Sequence, residues 1–118
     1  MHDHDEEFQL TVVTTPLGDV TIHRRQETPG TPVRLQVNGR DVSIGLTPQE
    51  RSSILNELAV TVLEILDLTP SDCLVRLGRP DSGGPVLLAK ITRKSRTHLG
   101  LEPGTHVFAR VKSVAVLD

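Results

Sequence analysis

Residues 85–118 read PVLLAKITRKSRTHLGLEPGTHVFARVKSVAVLD. The pattern predicts a strand over Pro85–Ile91 that runs straight into a short helix opening at Thr92 and stopping at Gly100. After the Glu102-Pro103-Gly104 turn, a second strand, His106–Lys112, leads to the end of the chain. The helix is predicted from its ends. Thr92 is a good N-cap, because its hydroxyl accepts from the unpaired amides of the first turn. Gly100 can take the left-handed conformation that closes a helix, with Leu101 packing back on the last turn. Arg93, Lys94 and Arg96 then face water, and Leu99 anchors the helix. Ser95 puts a second hydroxyl near the same end. Hydroxyls, free amides and nearby cations suit an anion, although an ordinary capped surface helix begins with the same residues.

The totals bound what surrounds this stretch. A chain of 118 residues suffices for one domain with one modest core. A net charge of −2 argues against a nucleic-acid binder that relies on a global positive field. There is no Trp or Tyr, and only Phe8 and Phe108, so platforms for stacking bases are nearly absent. Cys73 is the lone cysteine, which excludes an internal disulfide and suits a reducing compartment. Within DCLVRL it is expected to be a buried, inert thiol. No apolar run is long enough to cross a bilayer, and the acidic start MHDHDEEF lacks a secretory signal pattern. A cytoplasmic location is expected. That start looks like the middle of a longer polypeptide given a new methionine. His2 and His4 with Asp3 and Asp5 have the chemistry to touch a metal, but a frayed, solvated terminus is the expectation.

Upstream, Phe8–Thr14 and Val20–His23 read as short strands, and Val33, Leu35 and Val37 alternate as a half-buried strand does. Asn38-Gly39 marks either a tight hairpin turn or a kink, after which Val42, Ile44 and Leu46 alternate on the other parity. Leu58–Leu66 (LAVTVLEIL) also suits a helical face through Leu58, Val62 and Ile65, but its β-branched residues favour a strand. Asp67–Asp72 turns, Cys73–Leu77 is a strand and Gly78–Pro85 a hairpin loop. One repeat is visible: Pro29-Gly30-Thr31-Pro32-Val33 matches Pro103-Gly104-Thr105-His106-Val107, and the apolar positions beyond keep register. Both copies change parity midway, at Asn38-Gly39 and at Lys112-Ser113, which implies a bulge or bend. The expectation is one β domain over 1–118 with pseudo-symmetric halves, Met1–Leu46 and Ser52–Asp118. A short helix between strands suits a small, partly open barrel of the oligonucleotide/oligosaccharide-binding (OB) type.

Asp81-Ser82-Gly83-Gly84-Pro85 looks like the GDSGGP signature of trypsin-like proteases, but the match covers five residues, Pro80 replaces the leading glycine, and those enzymes are far longer and need a two-barrel fold. This stretch is expected to be a turn. Neither a GxxxxGK[ST] loop nor a GxGxxG turn is present. Ser52-Ser53-Ile54-Leu55-Asn56 precedes a β run. Taken with ITRKSRTHLGLEPG and the terminal VKSVAV, the order resembles the molybdate/tungstate-binding Mop-type domain, also called the transport-associated OB (TOBE) domain. In that family an S-A-R-N-like start, an I-T-x-x-S-x-x-L-G-L helix and a terminal K-S or K-A segment build an oxyanion pocket. The first half, TPVRLQVNGRDVSIGL leading into SSILN, is more specifically similar to the C-terminal regulatory region of the ATP-binding subunit of molybdate ABC transporters. The resemblance spans nearly the whole chain.

It implies a mostly all-β fold, an OB-like barrel of the TOBE/Mop type with one short helix, in a strand-exchanged or tightly paired homodimer. By the same resemblance, Ser53 with the Ile54 and Leu55 amides, then Lys112 and Ser113, hold the anion from one subunit. Thr92 and Ser95 reach in from a second. Leu55 departs from the pattern, since the family's independent binding domains often carry Arg there, a bidentate oxyanion ligand. The ligand is molybdate or tungstate. No organic cofactor, metal ligand set or catalytic residue is implied, and the chain is not expected to be an enzyme. Its partners are a second copy, the ATPase domain of its parent chain and, through it, a membrane permease, with the parent peripheral to the inner membrane. The chemistry agrees: these dianions accept hydrogen bonds and donate none, so amides, hydroxyls and one ammonium satisfy them. Protonated phosphate would leave a donor unpaired at a cost of about 1–3 kcal/mol. Sulfate must be rejected by size. His23, His98 and His106 are expected to be solvated or packed. The alternative is a dimerisation module that binds no small ligand; an OB-type oligonucleotide binder fits the composition poorly.

Overall fold

In a computed structural model, which describes residues 3–7, 9–23, 30–48, 52–80 and 86–117, the chain folds as strands with one short helix. Strands β1 (Asp3–Asp5), β2 (Leu10–Thr15) and β3 (Gly18–His23) form an antiparallel sheet in that order. β4 (Arg34–Gln36), a 3-10 turn at Gly39–Asp41 and β5 (Val42–Gly45) follow. Then come β6 (Asn56–Asp67), β7 (Asp72–Gly78), β8 (Leu87–Thr92), α1 (Arg93–Leu99), β9 (His106–Val111) and β10 (Ala115–Leu117).

The largest sheet runs β5-β9-β6-β7-β8, all neighbours antiparallel, and its outer strands β5 and β8 come alongside each other. The sheet is thus a nearly closed, OB-like barrel. Val60, Val62, Val75, Leu77, Ala89, Val107 and Ala109 fill its interior and are buried. Alternation explains why they converge, since every second residue of an antiparallel strand faces one side.

β6 shows why LAVTVLEIL looks ambiguous. Leu58, Val60 and Val62 are buried on one parity, but the pairing with β7 slips between Val62 and Glu64. Past that bulge Ile65 packs on the core from the other parity. A bulged strand therefore mimics a helical spacing. The bulge is held by the turn before β9: the Val62 amide donates to the Thr105 carbonyl (2.9 Å), and the Gly104 amide to the Val62 carbonyl (2.7 Å).

The helix forms as its ends predict. Thr92 Oγ1 accepts from the Ser95 amide at 3.0 Å. Gly100 is left-handed (φ 65°, ψ 37°), and the Leu101 amide donates to the Arg96 carbonyl at 3.1 Å. Leu101 is buried. Arg96 is less free than expected, being half-buried and paired with Asp67 at 3.3 Å.

The repeated segments share their strands. β5 of the first copy pairs with β9 of the second, and β10 of the second pairs with β4 of the first. Both expected bends exist. At Asn38-Gly39 the chain makes a kink, not a hairpin, with Asn38 Oδ1 accepting from the Arg40 amide (3.0 Å). The second strand does not run through Lys112: it ends at Val111 and resumes at Ala115. The Lys112 amide donates to the Asp41 carbonyl at 2.9 Å, joining the two bends.

The acidic terminus differs from the expectation of fraying. Asp3–Asp5 pair with Val12–Leu10, because main-chain pairing at a sheet edge needs no apolar alternation and charged edges are favoured there. His2 and the Asp81–Pro85 turn lie outside the described residues.

Candidate functional site

β9 and β6 leave their shared ladder at the same point, since Asn56 is paired with Val111. Ser53–Leu55, entering β6, and Lys112–Ser113, leaving β9, therefore flank one end of the barrel. There they border a polar cleft of about 230 Å³, lined by Ser53, Leu55 and Asn56 on one side and Lys112, Ser113 and Val114 on another. Leu10, Thr21, Ile22 and His23 of the N-terminal sheet close the third side. No carboxylate is among these lining residues.

Of the residues singled out by sequence, Ser53, Leu55, Lys112 and Ser113 are thus brought together. Ser53, Lys112 and Ser113 are exposed, and Leu55 presents an apolar side chain 63% exposed. Ile54 does not line the cleft, and its amide donates to Ser52 Oγ at 3.0 Å. Thr92 and Ser95 lie elsewhere in the same copy, in a second cleft of about 440 Å³ with Arg40, Ser43, Asp72 and Lys90. Their hydroxyls bond each other at 2.9 Å.

By sequence Thr21 was not named, Asn56 entered only as the last residue of the Ser52–Asn56 motif, and His23 only as a solvated or packed histidine; none was expected at the site. Asn56 is the best placed of them: it is buried, its Oδ1 accepts from the Thr21 amide (2.7 Å) and its Nδ2 donates to the Thr21 carbonyl (2.9 Å). One carboxamide thereby does what a neighbouring strand would do, docking β3 on the start of β6. The available signal was an amide residue opening an apolar strand, where such a side chain needs partners.

Two other features are structural. A larger cavity, about 500 Å³, is bordered mostly by apolar side chains such as Val13, Leu17, Leu35, Leu58 and Leu87, with no convergence of donors fit for an anion among its described lining residues. Cys73 is fully buried, and burial pushes its thiol upward from the ordinary value, so no thiolate nucleophile is on offer. No helix among the described residues is long and apolar enough to cross a membrane.

The TOBE domain family matches residues 52–117. The molybdenum import ATP-binding protein ModC 1 of Azotobacter vinelandii is 43% identical over 116 residues, covering 98% of this chain and 31% of that protein. The molybdenum import ATP-binding protein ModC of Pseudomonas aeruginosa is 44% identical over 118 residues, covering 98% and 32% respectively. The chain thus spans under a third of the length of these curated relatives. Among solved structures, the cytoplasmic molybdate-binding protein ModG with molybdate bound aligns with a TM-score of 0.69 at 24% identity, over 83% of this chain and 73% of that one. That likeness establishes the fold, an OB-like barrel shared with ModG.

Proposed function

Since this chain belongs to the TOBE domain family, we propose that it is the C-terminal regulatory part of the ATP-binding subunit of a molybdate or tungstate importer, and that it senses the oxyanion on the cytoplasmic side of the membrane. The observation that carries this reading is the convergence of Ser53 with the Lys112-Ser113 pair, distant from it in sequence, on one cleft with no carboxylate among its described lining residues. A tetrahedral dianion that only accepts hydrogen bonds is matched by hydroxyls, main-chain amides and an ammonium. The Leu55 amide joins them, and the Ile54 amide does so if it exchanges Ser52 Oγ for the anion.

One copy presents half a shell, because Thr92 and Ser95 occupy a separate cleft. The other half then comes from Thr92 and Ser95 of a second copy, and the homodimer closes on the ion. Occupancy would favour whichever state of the importer holds the two copies in that arrangement; that differential affinity is the source of regulation. The ATPase domain of the parent chain and the permease beyond it are the partners that read the state.

A second reading has its own support. Leu55 supplies no charge, and the Ile54 amide already has a partner. Those two facts favour a dimerisation module that keeps the fold and binds nothing small. Titration calorimetry with sodium molybdate, paired with sedimentation, separates the readings. The sensor predicts saturable heat that Lys112→Ala abolishes while dimerisation persists. No heat and no thermal shift at millimolar molybdate, with a dimer intact, would establish the second reading instead.

A further inference from the structure

One wall of the polar cleft lies outside the TOBE match: Leu10, Thr21, Ile22 and His23 all precede residue 52. This wall is fixed in place. The buried Asn56 carboxamide holds both main-chain polar groups of Thr21, at 2.7 and 2.9 Å, and so locks β3 against the start of β6. His23 lies two residues further along β3, on the same parity as Thr21, and lines the same cleft with its side chain exposed. Lys112 is the one lysine or arginine among the described lining residues, and the neighbouring Leu55 side chain offers only hydrocarbon. Within one copy, a dianion placed there meets the Lys112 ammonium and the Ser53 and Ser113 hydroxyls, and His23 adds a ring nitrogen from the β3 wall. An imidazole carries at least one ring N–H whether neutral or protonated.

We propose that His23 contacts the bound tetrahedral oxyanion, donating a ring N–H and taking over the donor role that Leu55 does not fill. The N-terminal sheet is then part of the binding site, with Asn56 positioning it. This rests on the oxyanion-binding reading above and specifies the site further.

The test is titration of the whole chain with sodium molybdate in four forms: unaltered, Lys112→Ala, His23→Ala and His23→Gln. Circular dichroism melts without anion check that the variants fold. Because a hydrogen bond to a charged group is at stake, His23→Ala is expected to raise Kd about tenfold or more. His23→Gln keeps a side-chain N–H and falls between the two. If Lys112→Ala abolishes binding while both His23 variants bind like the unaltered chain, this inference is overturned and the oxyanion reading stands. If the unaltered chain binds no molybdate, both fall.

Discussion

Replacing Asn56 by alanine removes a side chain that is 7% exposed and makes two hydrogen bonds to the main chain of Thr21. Each such bond contributes about 0.5–1.5 kcal/mol net, and a polar group left unpaired in a buried setting costs about 1–3 kcal/mol. The adjoining 230 Å³ cleft admits water to the orphaned Thr21 groups, which holds the loss near the lower end. The expected destabilisation is therefore about 2–3 kcal/mol, a substantial part of the roughly 5–15 kcal/mol that holds a domain together. With no Trp or Tyr to report, urea unfolding followed by far-ultraviolet circular dichroism is the suitable assay. Hydrogen exchange at the Thr21 amide gives a local readout, because that proton loses its acceptor. Asn56→Asp sharpens the test: it keeps the shape and one acceptor but turns a carboxylate oxygen toward the Thr21 carbonyl. It should destabilise at least as much as alanine at neutral pH. An Asn56→Asp variant within about 0.5 kcal/mol of the unaltered chain, or unchanged Thr21 protection in Asn56→Ala, would refute the claim that this carboxamide docks the N-terminal sheet.

Two further substitutions probe separate parts of the argument. Gly45 lies beneath the Arg110 guanidinium, which is held by Glu57 at 3.0 Å and by the Thr47 carbonyl, so an added methyl at Gly45→Ala must displace it. A loss of about 1–3 kcal/mol is expected, and a double-mutant cycle with Arg110→Ala should be clearly non-additive; additive losses would mean that the two do not interfere. Leu55→Arg places a guanidinium beside Lys112 and Ser113 in the cleft, and is expected to tighten molybdate binding about tenfold in calorimetry. An unchanged Kd would remove residue 55 from the anion's surroundings.

Much of this fold was legible in the chain because its signals are local. Thr92 and Gly100 bound the helix through contacts with residues at most a few positions away. Alternation announced the strands of the barrel, and the parity changes at Asn38-Gly39 and Lys112-Ser113 announced two bends. The ordered motifs around Ser53, Thr92 and Lys112 lie within the stretch that the family matches, so the family too was legible in the chain. Fine structure was less accessible. The bulge in β6 disguised a strand as a helical spacing, and the acidic Asp3–Asp5 segment carries no pattern from which pairing could be read.

What residues dictate through near neighbours, namely caps, strand alternation and the anion-compatible choice of Lys, Ser and Thr, was settled by the sequence. Which of them meet was decided only in three dimensions. The Asn56–Val111 register sets Ser53 beside Lys112, and the Asn56–Thr21 clamp brings His23 to the same cleft while Thr92 and Ser95 face another. The reason is physical: alternation fixes which face a side chain takes, but long-range pairing fixes its companions. That pairing depends on how all the strands bury their apolar faces at once.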